Sequence, residues 1–270
     1  MGDDVELIQF VYSHYNEKVR WALDYKGVPH RRTSLLPGPH ASKVKKLTGQ
    51  SQVPVLRMGT EIVAGSARII DEIERRFPRP PLYPHDEAIG RQALEIQSHF
   101  DDEVGPAVRR AFFSLVVHEP DYLCKIFSSF RGAPVRLAYR ASFPIARRMM
   151  MKSMQIDDPV AVRQSFEATE RALEFVAEKS DATGYLAGDS FSVADLTAAA
   201  LLAVTANPPH SPMFRPTPIP VRVVAEWDER WDAHPGTAWV RELYRRHRGA
   251  EVADGGLHPA PRSAAAGARG

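Results

Sequence analysis

Ser13 stands where chemistry could be done. It follows an apolar run from Val5 to Val11 and precedes a stretch in which Val19, Trp21-Ala22-Leu23 and Tyr25 recur every three to four positions before Gly27. That spacing predicts a strand and then a helix over about 14–26, with Gly27 just past its end. A hydroxyl at such a junction can cap the helix, or it can donate a hydrogen bond to an anionic atom brought there. Tyr12 and Tyr15 flank Ser13 and could make the same donation. Val53-Pro54 is either a trans proline opening an edge strand or a cis bond kept for its geometry. Gly65-Ser66 reads as a turn and cap before Ile69-Ile70 and Ile73. The ten histidines are scattered without His-Glu-x-x-His or comparable spacing, so no metal is expected. Cys124 is the single cysteine and reads as a small buried hydrophobe.

The elements that must position these residues follow from periodicity. After the first strand and helix, His30 to Leu36 reads as a second strand and His40 to Leu47 as a short basic helix. Val53 to Met58 and Glu61 to Ala64 form a hairpin around Gly59-Thr60, and a helix runs from Ser66 to Phe77. The order is βαβαββα over residues 1–78. Pro78, Pro80, Pro81 and Pro84 then make 79–86 a linker. Everything beyond is helical in pattern: about 86–117, fragments within 120–153, then 159–179, 192–205 and 221–247. An α/β domain is thus followed by an all-α domain over 87–248. From 249 to 270 the Ala, Gly, Pro and Arg composition lacks periodicity and predicts a disordered tail.

With 270 residues, 35 basic and 33 acidic, the net charge of +2 gives no general reason to expect nucleic acid. One cysteine rules out a disulfide within the chain and a zinc site of four cysteines. The first residues lack an apolar leader, and the run from Leu196 to Ala206 falls short of the ~18 residues of a membrane span. The expectation is a cytoplasmic protein. Residues 131–156 hold six basic side chains and no acidic one. On a continuous helix Arg136, Arg140 and Arg147 would form a stripe suited to an anionic membrane surface. Pro144 is expected to interrupt that helix, which favours an ordinary solvated face. The segment could alternatively cover a substrate site, with Met149 to Met151 as an adaptable apolar lining.

This layout resembles the cytosolic glutathione transferase superfamily, a thioredoxin-like domain followed by a helical bundle, over roughly residues 5–247. Four local signatures carry the resemblance. Ser13 matches the serine-type junction, Val53-Pro54 the cis-proline, and Ser66 the serine that opens the third helix. The fourth is Gly188-Asp189-Ser190-Phe191-Ser192-Val193-Ala194-Asp195-Leu196, where Ser192 and Asp195 form a capping box and Phe191 can staple onto Leu196. The resemblance implies that glutathione is the co-substrate, bound by Gln52, Val53, Pro54, Gly65 and Ser66. Its sulfur would be held as thiolate by Ser13, or alternatively by Tyr15, and would attack a mostly apolar electrophile. Gly65 departs from the family's acidic residue or glutamine and leaves the γ-glutamyl ammonium without its usual partner. The competing implication is therefore a binding or interaction module on the same fold. The family also implies a homodimer.

Overall fold

The computed structural model describes residues 4–209 and 211–249. The tail expected over 249–270 lies outside the described residues apart from Gly249. The first half is β1 (Val5–Gln9), α1 (His14–Tyr25), β2 (Arg31–Ser34), α2 (His40–Thr48), β3 (Val55–Met58), β4 (Glu61–Ala64) and α3 (Ser66–Arg76), the expected βαβαββα order. The strands lie in the order β2-β1-β3-β4, with β1 parallel to β2 and antiparallel to β3. Because side chains alternate across a strand, the sheet buries two separate faces. Leu7 pairs with Leu56 on the face packed by Val19, Leu23, Ile69 and Ile73. Ile8 pairs with Val55 on the other face, covered by Val44 of α2.

Helices follow: α4 (Glu87–His99), α5 (Gly105–Val116), α6 (Pro120–Ser128), α7 (Ala133–Ser153), α8 (Pro159–Ser180) and α9 (Val193–Ala206). Then come α10 (Val221–Val223), α11 (Glu229–Trp231) and α12 (Pro235–His247). A π-helical turn, Phe100–Val104, joins α4 to α5, and another, Val224–Asp228, joins α10 to α11. No helix among the described residues is long and apolar enough to cross a membrane. Residues 77–86 form neither helix nor strand. They are nonetheless anchored, since the Pro80 carbonyl accepts from Lys26 Nζ at 2.6 Å and the Leu82 carbonyl from Val193 N at 2.8 Å.

Two expectations need correction. Residues 133–153 form one helix that passes straight through Pro144. Proline forfeits one helical N–H, but only Tyr139 and Phe143 of this helix are buried, so water can satisfy the carbonyl left over. The arginine stripe is also largely engaged: Arg140 Nε pairs with Asp121 at 2.5 Å and Arg147 Nε donates to the Val117 carbonyl at 2.9 Å. Second, 221–247 is broken at Asp232–His234, where His234 Nδ1 accepts from Gly236 N at 3.0 Å and Pro235 opens α12. Proline at the first helical position starts a helix more readily than it continues one.

The halves join through α1, in which ten of twelve residues are buried. Trp21 donates to the His247 carbonyl at 3.0 Å, and its ring packs on Tyr244 and Phe191 at 4.4 and 5.7 Å. The capping box at α9 is present: Asp195 accepts from Ser192 N at 2.9 Å and from Leu186 N at 2.8 Å, pinning the preceding loop as well. Burial pushes its carboxyl up to about 6 against those hydrogen bonds.

Candidate functional site

A cleft of about 1110 Å³ lies between the sheet-side elements and the helices. Ser13, Gln52, Val53, Pro54, Gly65 and Ser66 all line it. Residues predicted from three separate loops are thus brought to one wall by the β1–α1 junction, the turn into β3 and the start of α3.

Ser13 has the extended backbone of an N-cap, φ −155° and ψ 122°, and its carbonyl accepts from Glu17 N at 2.8 Å. Its half-buried hydroxyl makes no capping bond and has no other partner among the described residues, so it stays available to the cleft. The Val53-Pro54 bond is cis. Among the described residues no group takes the Val53 N–H or carbonyl, while the Pro54 carbonyl accepts from Gly65 N at 3.4 Å. That bond sets Gly65 and Ser66 beside the proline. Gly65 has φ +94°, which other residues adopt only with strain, so the backbone itself accounts for the glycine here. Ser66 begins the 11-residue α3, is buried, and has a hydroxyl free of partners among the described residues. The first N–H groups of that helix have no intrahelical acceptor and favour an anion.

Both flanking tyrosines are committed elsewhere. Tyr12 donates to the Phe214 carbonyl at 2.8 Å and Tyr15 to the Asp101 carbonyl at 2.6 Å. The second bond has a local cause. In the π turn Gly105 N reaches back to the Phe100 carbonyl, and Pro106 has no N–H to offer Asp101. The carbonyl left over is filled by the Tyr15 hydroxyl. Burial pushes both phenols well above their ordinary range. Tyr15 also needs the glycine at 105, where a Cβ would stand 2.5 Å from its hydroxyl oxygen. Gly105→Ala is expected to lower stability by about 1–3 kcal/mol, the usual scale of overpacking, measurable by urea denaturation.

His14, which sequence reasoning passed over, opens α1 inside the cleft. It is buried with Nε2 unpartnered, and burial, reinforced by the Arg109 charge, lowers its pKa to about 3. It is therefore a neutral imidazole at physiological pH. Lys18 and Asp101 form an ion pair at 2.5 Å that ties α1 to the π turn. Burial pushes Lys18 down and Asp101 up despite their mutual attraction.

The helical half contributes an apolar part of the lining, Phe112, Phe113, Phe127, Met149, Met150 and Met213, together with polar side chains. The methionine run thus divides, since Met149 and Met150 face this cleft while Met151 lines a separate depression with His118 and Arg140. Arg109, one turn before Phe112 and Phe113 on α5, also lines the cleft and was not anticipated. Its spacing from two aromatic residues on one helix face was the available signal. Cys124 is buried on α6 away from this lining, and burial pushes its thiol up to about 11. Among the described residues no group of three or more His, Cys, Asp and Glu side chains could hold a metal ion.

Comparison with known proteins agrees with this architecture. Residues 7–81 match the family description "Glutathione S-transferase, N-terminal domain" and residues 141–218 match "Glutathione S-transferase, C-terminal domain". Glutathione S-transferase TCHQD of Arabidopsis thaliana is 26% identical over 209 residues, covering 74% of this chain and 76% of that protein. The fold is shared with a glutathione S-transferase from Rhodospirillum rubrum F11, at a TM-score of 0.61 and 18% identity over 90% of this chain and 89% of that one. It is also shared with a Methylobacterium radiotolerans glutathione S-transferase solved in complex with glutathione sulfonate, at a TM-score of 0.58 and 20% identity over 91% and 92% of the two chains. With an α/β half and a helical half matched in the right order, the chain belongs to the glutathione S-transferase superfamily.

Proposed function

We propose that this protein is a glutathione transferase that conjugates glutathione to electrophilic small molecules, with Ser13 holding the sulfur as thiolate. The observation that carries this reading is the convergence of three unengaged groups on one wall: the Ser13 hydroxyl, the Val53 backbone and the Ser66 hydroxyl at the α3 N-terminus. Glutathione would lie along them, its cysteinyl backbone pairing with Val53 N–H and carbonyl and its γ-glutamyl carboxylate on Ser66. Gln52 would reach the glycine end. Gly65 offers no side chain to the γ-glutamyl ammonium. Asp102 takes that role, since it lines the cleft and, among the described residues, its carboxylate accepts only from Ser98 Oγ at 3.0 Å.

The thiolate attacks an electrophilic carbon and an S–C bond forms; with an aryl halide the halide departs with its electron pair, and with an epoxide the C–O bond breaks, its oxygen keeping the pair and taking a proton from solvent. The thiol proton has already gone to solvent. The protein contributes proximity and preorganised hydrogen-bond donors. Conjugation of a panel of aryl halides and epoxides tests the reading: turnover that saturates in glutathione is expected, and no turnover together with no calorimetric heat at millimolar glutathione would refute it. Ser66→Ala is expected to raise KM for glutathione about tenfold or more, because a hydrogen bond to a charged group contributes ~1.5–3 kcal/mol. Its effect on kcat should be small, since Ser66 touches no reacting atom. In keeping with the family resemblance, we take the working unit to be a homodimer, testable by light scattering.

A further inference from the structure

Arg109 and Arg110 are neighbours on α5 with opposite fates. Arg110 is engaged by the protein itself: its Nε donates to the Met154 carbonyl at 2.7 Å, Nη1 to Ser165 Oγ at 3.0 Å and Nη2 to Gln155 Oε1 at 2.9 Å. Arg109 is half-buried in the cleft wall, its Nε shielded from water without a partner, and among the described residues no carboxylate pairs with it. Neither acidic group of the cleft forms an ion pair with Arg109: Asp101 pairs with Lys18, and Asp102 accepts from Ser98 Oγ and is the group assigned above to the γ-glutamyl ammonium. Of the two other arginines that line the cleft, Arg68 is exposed to water on α3, and Arg215 is anchored by its ion pair with Asp228 and lies over the Phe112 ring at 5.6 Å. A guanidinium partly withdrawn from water without a counter-ion attracts an entering anion more strongly than it would in bulk water.

We propose that the acceptor half of the cleft is built for electrophiles bearing an acidic group, a carboxylate or sulfonate, received by the Arg109 fork while Phe112 and Phe113 hold the apolar body. The planar guanidinium suits two parallel N–H···O bonds to such a group. This deepens the transferase reading and rests on it. Arg109 is a specificity residue here; the reacting sulfur stays with Ser13.

The test compares 4-chloro-3,5-dinitrobenzoate with its methyl ester at saturating glutathione. In both, sulfur bonds to the chlorine-bearing carbon and chloride leaves with the bonding pair, so only the acid group differs. Corrected for uncatalysed rates, kcat/KM is expected to favour the acid by roughly tenfold or more, the scale of one charge-assisted contact. Arg109→Gln should shrink that ratio about tenfold, and Arg109→Lys should keep part of it. A ratio near one in the wild type, or one unchanged in Arg109→Gln, would overturn the proposal; general damage to the fold lowers both rates and leaves the ratio alone. Calorimetry with the two finished glutathione adducts gives a readout free of turnover. Tighter binding of the acid adduct that Arg109→Gln abolishes supports the assignment, and equal binding of both adducts overturns it. If neither adduct nor glutathione binds, the transferase reading itself fails.

Discussion

Ser13→Ala is expected to lower kcat/KM for conjugation at pH 7 by about 25-fold. The figure follows from the thiolate population. With a bound thiol pKa of ~6.5 about three-quarters of the sulfur is ionised at pH 7, and at the unperturbed ~8.5 only ~3% is. A shift of roughly two pH units needs about 2.7 kcal/mol. One hydrogen bond to a charged atom supplies ~1.5–3 kcal/mol, so the Ser13 hydroxyl accounts for the shift at the upper end of that range. Tyr15→Phe should change kcat/KM far less, because the phenol already donates to the Asp101 carbonyl and its burial holds it protonated. The pH profile separates these cases. The wild-type rate should rise through one ionisation near 6.5, with no step from His14, which is neutral throughout that range. Ser13→Ala should move the rise about two units up. An unchanged Ser13→Ala rate with a large Tyr15→Phe loss would transfer the role to Tyr15.

The largest stability effect is expected at Glu17. This carboxylate is fully buried on α1, accepts from Arg20 Nε at 2.7 Å and from Arg248 Nε at 2.8 Å, and so ties the end of the helical half to the first helix. Arg248 also reaches Asp24 at 2.8 Å, and Arg32 meets the same carboxylate at 2.8 Å. Breaking one member of such a buried set leaves charges without partners and costs about 3–5 kcal/mol. Glu17→Gln should therefore lower the urea midpoint strongly, whereas removing Glu242 from its exposed pairs with Arg245 and Arg246 should change it little. Burial alone would push the Glu17 carboxyl up, but the charges of Arg248 and Arg20 outweigh it and hold the folded value below the ordinary one. A carboxyl depressed on folding stabilises fully above its unfolded pKa of ~4.3 and loses that contribution as pH falls through the lower folded value. The wild type should thus lose stability on acidification below about pH 5, and Glu17→Gln should show a shallower slope in that window. Parallel slopes would remove Glu17 from the account.

The same helix shows where sequence reading reaches its limit. Val19, Ala22 and Leu23 identify α1 by their spacing, and the cis Val53-Pro54 bond and the Ser192–Asp195 box are local enough to read from adjacent residues. Glu17, Lys18, Arg20 and Asp24 put four ionisable side chains on this helix, yet all are buried. Their partners lie up to 231 positions away, at Arg248, and no local pattern announces a pairing across that separation. Gly65 reads as a missing ligand and proves to be a backbone requirement at φ +94°. Pro144 reads as a helix end because propensity weighs against it, but exposure lets the helix absorb it. In the cleft, the wall proposed to hold glutathione was legible as a set of residues because it is built from element ends. The acceptor side was not, because Phe112, Met149 and Met213 meet there only through the packing of separate helices and a loop.

The central claim is that Ser13 keeps the bound sulfur ionised. Titrating enzyme-bound glutathione by the ultraviolet absorbance of its thiolate tests this without any electrophile present. The account predicts a bound pKa near ~6.5 in the wild type and a return to ~8.5 in Ser13→Ala, with glutathione still bound. A wild-type value equal to that of free glutathione, or one that Ser13→Ala leaves unmoved, would contradict it.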